Sequence, residues 1–294
     1  MPFSNTDLEA FLKRHGVRPY VQQFCHHGHL VPRQMKLEVK IGTLGRPYIE
    51  INDPAVLMRF TGYVKRHYHS HFGGHVFMRG QPADYGTMIP SLFRGVFDDR
   101  LEGLVEAYRA FITRIQTEFR NERFQTNQLG ALLQHYGFKT PWLDLVDNLY
   151  VALWFAGRRA VDEGGKVRLV STNEDGWLFL VGTGGKTMPR LTYSDLRVTH
   201  SSLTLRPHAQ HGISATRPAR TKWSPSNKCF NESVVAVVKV PAEFTQGFTG
   251  PLSDQEFLFP DPAADDTYRI LLRSRTQKIV ESVCSEFGLT AGEL

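Results

Sequence analysis

The sequence LLQHYGFKTPWLDLVDNLYVALWFA, residues 132–156, lies between a part of the chain with mainly helical patterns and a part with mainly strand patterns. Its first residues complete a helical pattern over residues 129–136, and Gly137 follows in the position where a left-handed residue is favoured. Its last residues belong to a second helical pattern over residues 148–159, rich in leucine, alanine and aromatic side chains. The turn between these two helices holds several polar side chains and is therefore a candidate site.

Helical patterns dominate before this stretch, and strand patterns dominate after it. Upstream, residues 101–119 carry apolar side chains at helical spacing, and Asp53-Pro54 is typical of a helix start. That helix is predicted to end near His67. Further predicted strands, rich in β-branched and aromatic residues, are a hairpin at 37–51 and segments 75–78, 166–171, 177–181, 233–240 and 268–272. With a last helix at 276–287, this order predicts an α+β fold with a mixed antiparallel or split β-sheet core, not a doubly wound parallel sheet.

Composition excludes several classes of protein. Hydrophobic residues make up 41% and charged residues 22% of the 294 residues, which is ordinary for a soluble globular chain. No apolar run reaches the roughly 20 residues of a membrane helix, and the N-terminus does not resemble a secretory signal. Three scattered cysteines indicate neither a disulfide framework nor a zinc site. We therefore expect a cytoplasmic protein that has no membrane partner and no bound metal.

Two segments could carry chemistry. In the first, Arg79 is predicted to follow a short strand, and Gly80 would let a ligand approach the backbone. The planar guanidinium suits a phosphate or a carboxylate, or it could tie down the next loop. The second segment, residues 134–144, places five polar side chains in one turn: Gln134, His135, Tyr136, Thr140 and Asp144. Asp144 could cap the following helix or orient a neighbouring base, and the density of polar groups predicts a shared pocket.

Four separated motifs resemble those of the FRG domain family. They are Phe77-Met-Arg79-Gly80, Pro90-Ser-Leu-Phe-Arg94, the run from Gln134 to Asp144, and Ala209-Gln-His-Gly212. The chain departs from the family's usual proline–threonine order and arginine at Lys139-Thr140-Pro141-Trp142. The resemblance covers roughly residues 53–290. It predicts an extension at residues 1–52 and an FRG domain at 53–294.

Members of this family occur as bacterial and phage proteins, some suspected as toxins or defence effectors. Arg79-Gly80 and Asp254-Gln-Glu256 also resemble the first and last elements of ADP-ribosyltransferases, the last of which runs into a strand. The resemblance implies that Arg79 holds the nicotinamide half of NAD and that Glu256 stabilises an oxocarbenium-like transition state. Gln210 competes with Glu256 for the late position. The implied ligand-binding residues are Arg79, Gly80, Arg94, His135, Tyr136, Thr140 and Asp144.

Other interpretations stay open on the sequence alone. The net charge of +6 and a basic, proline-punctuated stretch fit a nucleic-acid-binding or RNA-processing effector. That stretch, predicted to be a loop, carries Arg206, Arg217, Arg220, Lys222 and Lys228. A third interpretation is a non-catalytic module that senses a partner. The modified target could be protein or nucleic acid, and an antitoxin or defence partner is conceivable.

Two further motifs are predicted to be structural. Gly182-Thr-Gly-Gly-Lys-Thr187 lacks the first glycine of a phosphate-binding loop, so a β-turn is expected. His67, His69, His71 and His75 have a spacing that could bind zinc or a similar metal, but no carboxylate or cysteine accompanies them. They are therefore predicted to lie in an exposed loop.

Overall fold

The computed structural model describes residues 37, 39–42, 44–119, 129–163, 166–185, 191–200, 204–218, 222–247, 254–261, 263–271 and 274–294. The strands are β1 Val39–Ile41, β2 Pro47–Glu50, β3 Gly74–Gln81, β4 Leu143–Val146, β5 Arg158–Glu163, β6 Lys166–Ser171, β7 Gly176–Gly184, β8 Thr192–Asp195, β9 Gly212–Thr216 and β10 Val234–Val240. The helices are α1 Pro54–Phe72, α2 Leu101–Glu118, α3 Leu129–His135, α4 Leu149–Ala156, α5 Leu196–Thr199, α6 Leu205–Ala209, α7 Ala242–Gly247, α8 Gln255–Leu258, α9 Asp266–Leu271 and α10 Ser274–Phe287. This mixture confirms the α+β prediction.

The described residues form two compact units. Unit 1 takes in those up to Thr87, those between Asn148 and Arg190, and those between Asn231 and Ser253. Unit 2 takes in Met88–Asp147, and the described residues within Leu191–Phe230 and Asp254–Leu294. The predicted boundary at residue 52 stays a prediction, and residues 1–36 of that predicted extension lie outside the described residues.

Unit 1 is built on a sheet with the strand order β1-β2-β10-β7-β3. β2 and β10 run parallel, whereas the other neighbouring pairs in this order are antiparallel. β5 and β6 form a separate antiparallel hairpin. The helices α1 and α4 both pack on β3, and α4 also contacts α7.

Local sequence signals explain where helix α1 begins and ends and where helix α4 begins. The side chain of Asp53 accepts hydrogen bonds from the backbone N–H groups of Ala55 and Val56, so it caps α1 as the sequence predicted. Gly73, at a φ of 66°, ends that helix after Phe72, beyond the predicted end near His67. At α4 the cap is Asn148, which accepts from Tyr150 and Val151. Asp144 is therefore released from the capping role that the sequence had left open.

Unit 2 combines an antiparallel sheet of order β4-β9-β8 with a helical core. α2 packs against α10, and buried side chains such as Leu104, Phe111 and Val283 belong to one apolar cluster. α3 lies against β4 and β9. The turn from α3 into β4, where Gly137 adopts a φ of 92°, therefore rests on a packed core.

One predicted strand is wrong, and one predicted helix ends earlier than expected. Residues 268–272 were expected as a strand, but Asp266–Leu271 is a helix because the Asp265 side chain accepts from the N–H of Tyr268 and starts a helical turn. The helix predicted for 148–159 ends at Ala156, and the chain from Arg158 joins the β5–β6 hairpin. No helix within the described part of the chain has the length and apolar character that a membrane crossing requires.

Candidate functional site

Gln134 is the centre of a polar network in unit 2. Its side-chain oxygen accepts hydrogen bonds from Ser91 Oγ at 2.9 Å and from Thr140 Oγ1 at 2.6 Å. Its amide nitrogen therefore faces Asp144, to whose Oδ2 it donates at 3.3 Å. Because Thr140 is fully buried, the orientation of the Gln134 amide is set from inside the fold.

Ser91 links the second sequence motif to the third. Its hydroxyl accepts from the backbone N–H of Thr140 at 3.1 Å, and the N–H of Leu92 donates to the Thr140 carbonyl at 3.2 Å. Gln134 was predicted as a polar residue of this turn but not as a ligand-binding residue, and Ser91 was not among the predicted site residues, although it lies within the second motif. Sequence reasoning missed Ser91 because only the fold brings residues 91 and 134 together.

His135 connects Asp144 to Gln210. The side-chain nitrogen of Gln210 donates to the Leu258 carbonyl at 2.8 Å, so its oxygen faces His135 Nδ1 at 3.0 Å. Nδ1 must therefore carry the proton in this bond. The other ring nitrogen, Nε2, is buried, has no hydrogen-bond partner among the described residues, and lies 3.5 Å from Asp144 Oδ1.

The Gln134 network, meaning Ser91, Gln134, His135, Thr140, Asp144 and Gln210, joins four predicted site residues. Asp144 is its partly open member, with a side chain 36% exposed, whereas the His135 side chain is 2% exposed. The arrangement fixes a carboxylate beside an imidazole of defined proton position. Such a pair can accept hydrogen bonds from a ligand, stabilise positive charge, or exchange a proton.

Tyr136, predicted to contact the ligand, is instead part of the interior that supports the network. Its hydroxyl donates to Asp265 Oδ2 at 2.8 Å, and burial, together with the charge of Asp265, raises the pKa of that hydroxyl. Arg206 also belongs to this interior, because its guanidinium donates to the His135 carbonyl at 2.7 Å and lies over the rings of Tyr136 and Tyr268. The hydroxyl of Tyr136 is therefore occupied by a structural contact.

Two other predicted residues of unit 2 are exposed. Arg94 donates through Nε to the Ile89 carbonyl at 3.1 Å, at the rim of a cavity of 130 Å³ that Lys139 and Glu293 also line. Glu256 lies in the short helix α8, where the sequence predicted the approach to a strand. The Asp254 side chain caps that helix by accepting from the Glu256 N–H at 3.1 Å. Within the described ranges, no hydrogen bond or ion pair holds the Glu256 carboxylate.

Arg79 and Gly80 lie on β3 in unit 1, opposite Phe179 and Leu178 of β7. Arg79 is partly buried. A Cβ on Gly80 would fall 1.8 Å from the Ala152 carbonyl oxygen, so the glycine is required by the close approach of α4. The lack of a side chain at Gly80 therefore allows α4 to pack on β3, whereas the sequence analysis predicted that it would let a ligand approach.

A second charged cluster in unit 2 was not anticipated. Arg197 donates to Asp195 at 2.7 Å and to Asp147 at 2.8 Å, and its Nη1 lies 3.1 Å from Nδ1 of His211, a residue with a φ of 51°. Burial alone would raise the pKa of Asp195, but the hydrogen bonds and charge of Arg197 outweigh it and lower that pKa. Asp195 precedes the first residue of α5, and Arg197 is its second residue. Two charged residues so close in sequence form no recognisable motif.

The basic stretch is largely engaged in structural contacts. Arg206 is buried in α6, contrary to the predicted loop, and Arg217 donates to the carbonyls of Asn227 and Cys229 at 3.1 Å each. Lys228 donates to the Val96 carbonyl at 3.1 Å and pairs with Asp98 at 2.9 Å. Lys222 is exposed, and Arg220 lies outside the described residues.

The four histidines lie in regular secondary structure and not in a loop, with His75 on β3. His67, His69 and His71 lie on α1, and the rings of His67 and His71 are 3.9 Å apart. Burial, followed by the charge of His71, lowers the pKa of His67. Across the described ranges, no three His, Cys, Asp or Glu side chains are arranged to hold a metal ion. Gly182 and Gly184 lie within β7, while Lys186 and Thr187 of that motif lie outside the described residues.

Comparison with known proteins gives one relationship. No curated protein and no solved structure matches the chain. The model of the FRG domain matches residues 74–164, a segment that runs from β3 through α4 to the end of β5. It includes Arg79, Ser91, Gln134 and Asp144. Residues 74–164 of this chain are therefore similar to the FRG domain.

Proposed function

We propose that this chain is an FRG-domain effector that binds NAD and acts as an ADP-ribosyltransferase-like enzyme of the toxin or defence class. The observation that carries the proposal is the partly exposed Asp144 carboxylate, held by the Gln134 amide and facing His135. A carboxylate fixed in this way accepts hydrogen bonds from vicinal ribose hydroxyls, which are donors. It can also stabilise the positive charge that develops on a ribose as its glycosidic bond breaks.

The proposed reaction balances without a further reagent. The bond between the ribose carbon and the nicotinamide nitrogen breaks, and nicotinamide leaves with the bonding electron pair. A nucleophile of the target, on protein or nucleic acid, forms the new bond to that carbon and releases a proton. The partly open Asp144 carboxylate is suited to accept this proton. His135 Nε2 lies 3.5 Å from that carboxylate and can share the proton, since Gln210 fixes the other ring nitrogen as the N–H donor.

Three predicted residues have separate parts in the proposal. Arg79 is the candidate for holding the ligand through its charge, because its guanidinium suits phosphate oxygens. Gln210 acts as a positioning residue through its hydrogen bond to His135. Glu256 is the candidate late carboxylate that the transferase resemblance implies. Glu256 is exposed, and no described residue holds its carboxylate in place, so we favour Asp144 as the residue that stabilises the positive charge.

The test is incubation of the full chain with labelled NAD and a cell lysate, with transferred label and released nicotinamide as readouts. Asp144→Asn is expected to lower the rate by about a hundredfold, the loss typical of removing one preorganised charge-stabilising group. Arg79→Ala is expected to raise the NAD concentration needed for half-maximal rate. Glu256→Gln decides between the two carboxylates, and Glu243→Gln is the control because Glu243 is likewise exposed in the first turn of a short helix.

Absence of NAD consumption by the folded wild type in lysate would overturn the proposal. Retention of RNA or DNA with a steep salt dependence would then establish the nucleic-acid-binding interpretation. Neither NAD consumption nor nucleic-acid binding, with activity in cells insensitive to Arg79→Ala, would establish the non-catalytic module.

A further inference from the structure

An aromatic cavity lies in unit 2, and no residue of the Gln134 network lines it. Its volume is 410 Å³, and its walls include Trp142, Tyr193 and Trp223. A volume of roughly 300–1,000 Å³ is typical of sites for small organic molecules. Three aromatic side chains around one such space offer broad surfaces on which a planar ring can stack.

Both tryptophans are held in place by their surroundings. The indole N–H of Trp142 donates to the Tyr108 hydroxyl, and that hydroxyl is buried. A Cβ on Gly130 would fall 2.0 Å from the Tyr108 oxygen and 2.8 Å from Trp142 Nε1, so the glycine makes room for this pair. Trp223 packs against Phe93, with ring centroids 4.7 Å apart, and against Phe230 at 6.3 Å. The two tryptophan walls are therefore fixed by packing.

Hydroxyl groups line one side of the same cavity. Thr192 and Thr216 are cross-strand neighbours on β8 and β9, and Ser194 follows on the same face of β8. Thr216 donates its hydroxyl proton to the Pro141 carbonyl at 2.7 Å, and Thr192 donates to the Thr216 carbonyl at 3.2 Å. Their oxygen lone pairs therefore remain as acceptors for polar groups on the edge of a ring.

The charge of the lining is entirely positive. It contains Arg109 and Arg217 and no acidic residue. Arg217 is occupied by two backbone carbonyls. Arg109 is exposed on α2, and its guanidinium makes no hydrogen bond or ion pair with another residue in the described part of the chain. A guanidinium at the rim of an aromatic cavity is suited to bind an anionic group of a ligand whose ring lies inside.

We propose that this cavity binds a planar aromatic ring that carries a phosphate or carboxylate group. The ring stacks among Trp142, Tyr193 and Trp223, and Arg109 pairs with the anionic group. The proposal does not rest on NAD turnover, because none of these four residues belongs to the Gln134 network.

The test is calorimetric titration of the full chain with AMP, indole-3-carboxylate, adenosine and inorganic phosphate. AMP or indole-3-carboxylate is expected to bind saturably and to quench tryptophan fluorescence, whereas adenosine and phosphate bind at least about fivefold more weakly because each lacks one contact. Tighter binding of AMP identifies a nucleotide as the ligand class, and tighter binding of indole-3-carboxylate identifies an aromatic acid.

Two exposed side chains provide the variants. Tyr193→Ala is expected to weaken binding about tenfold through lost stacking, and Arg109→Gln about fivefold through lost charge. Arg59→Gln is the control, because Arg59 is an exposed arginine of α1 that does not line the cavity. No saturable binding of either aromatic anion, or binding that Arg109→Gln and Tyr193→Ala leave unchanged, would overturn the proposal. Both variants are expected to consume NAD at the wild-type rate if the proposed function holds. Failure of the cavity proposal can therefore be distinguished from failure of the proposed function.

Discussion

The contact between Gly80 and α4 allows a stability prediction with a defined magnitude. In Gly80→Ala, the added methyl group would lie 1.8 Å from the Ala152 carbonyl oxygen and 2.7 Å from the Ala156 nitrogen. Ordinary contacts between such atoms begin near 3.5 Å, so β3 or α4 must move by more than an ångström. Both contacted atoms belong to helix backbone, and both alanines are fully buried. We therefore expect a loss of about 3 kcal/mol or more in the free energy of unfolding, the upper range for overpacking.

Gly62→Ala is a matched control for this change. Gly62 is exposed in the interior of α1, and a Cβ there would meet nothing within 4 Å. Alanine is favoured over glycine inside a helix by roughly 0.5–1 kcal/mol, so this variant should be slightly more stable than the wild type. Replacing glycine by alanine is thus expected to lower the free energy of unfolding at position 80 and to raise it at position 62.

Urea and thermal unfolding of the wild type and both variants measure the difference. For a chain of this size, a loss of about 3 kcal/mol lowers the midpoint temperature by roughly 6 °C or more. A Gly80→Ala protein within about 1 kcal/mol of the wild type would refute the packing explanation. If that stable variant also failed to bind NAD, the glycine would serve ligand approach, as the sequence alone suggested.

Two further predictions concern charge in unit 2. Gln134→Glu keeps the acceptors for Ser91 and Thr140 but brings a second carboxylate to within 3.3 Å of Asp144. Repulsion at that distance lies between about 1 kcal/mol in water and about 5 kcal/mol at an effective dielectric constant of 20, so we expect a loss of about 2 kcal/mol near neutral pH. Urea unfolding should show this loss shrinking by about pH 4 as the introduced carboxyl takes up a proton, and an equal loss at both pH values would contradict it. Burial, with the charges of His135 and His208, lowers the pKa of His200 to about 4. Because the neutral ring is favoured in the fold, the wild type should lose about 3 kcal/mol more stability than His200→Gln as the pH falls from about 6.5 to 4, and parallel pH profiles would exclude the effect.

Local signals were sufficient to predict several helices and turns of both units. The Asp53 cap with Pro54, the apolar spacing of α2 and the left-handed Gly137 each act within one or two turns, so the sequence alone indicates them. The strand predicted at 268–272 failed because the apolar content of the segment suits a strand or a helix. The cap from Asp265 decides for the helix.

The sequence by itself determined the α+β class, the helices that flank the site, and Asp144 and His135 as candidates, because these follow from periodicity, caps and motif order. Only the tertiary structure decided which polar groups meet. It joined Ser91 to Gln134 across 43 positions and His135 to Gln210 across 75, and it assigned Tyr136 and Arg206 to the interior. It also showed that Gly80 accommodates a helix. Contacts of this kind depend on long-range packing, which no local pattern encodes.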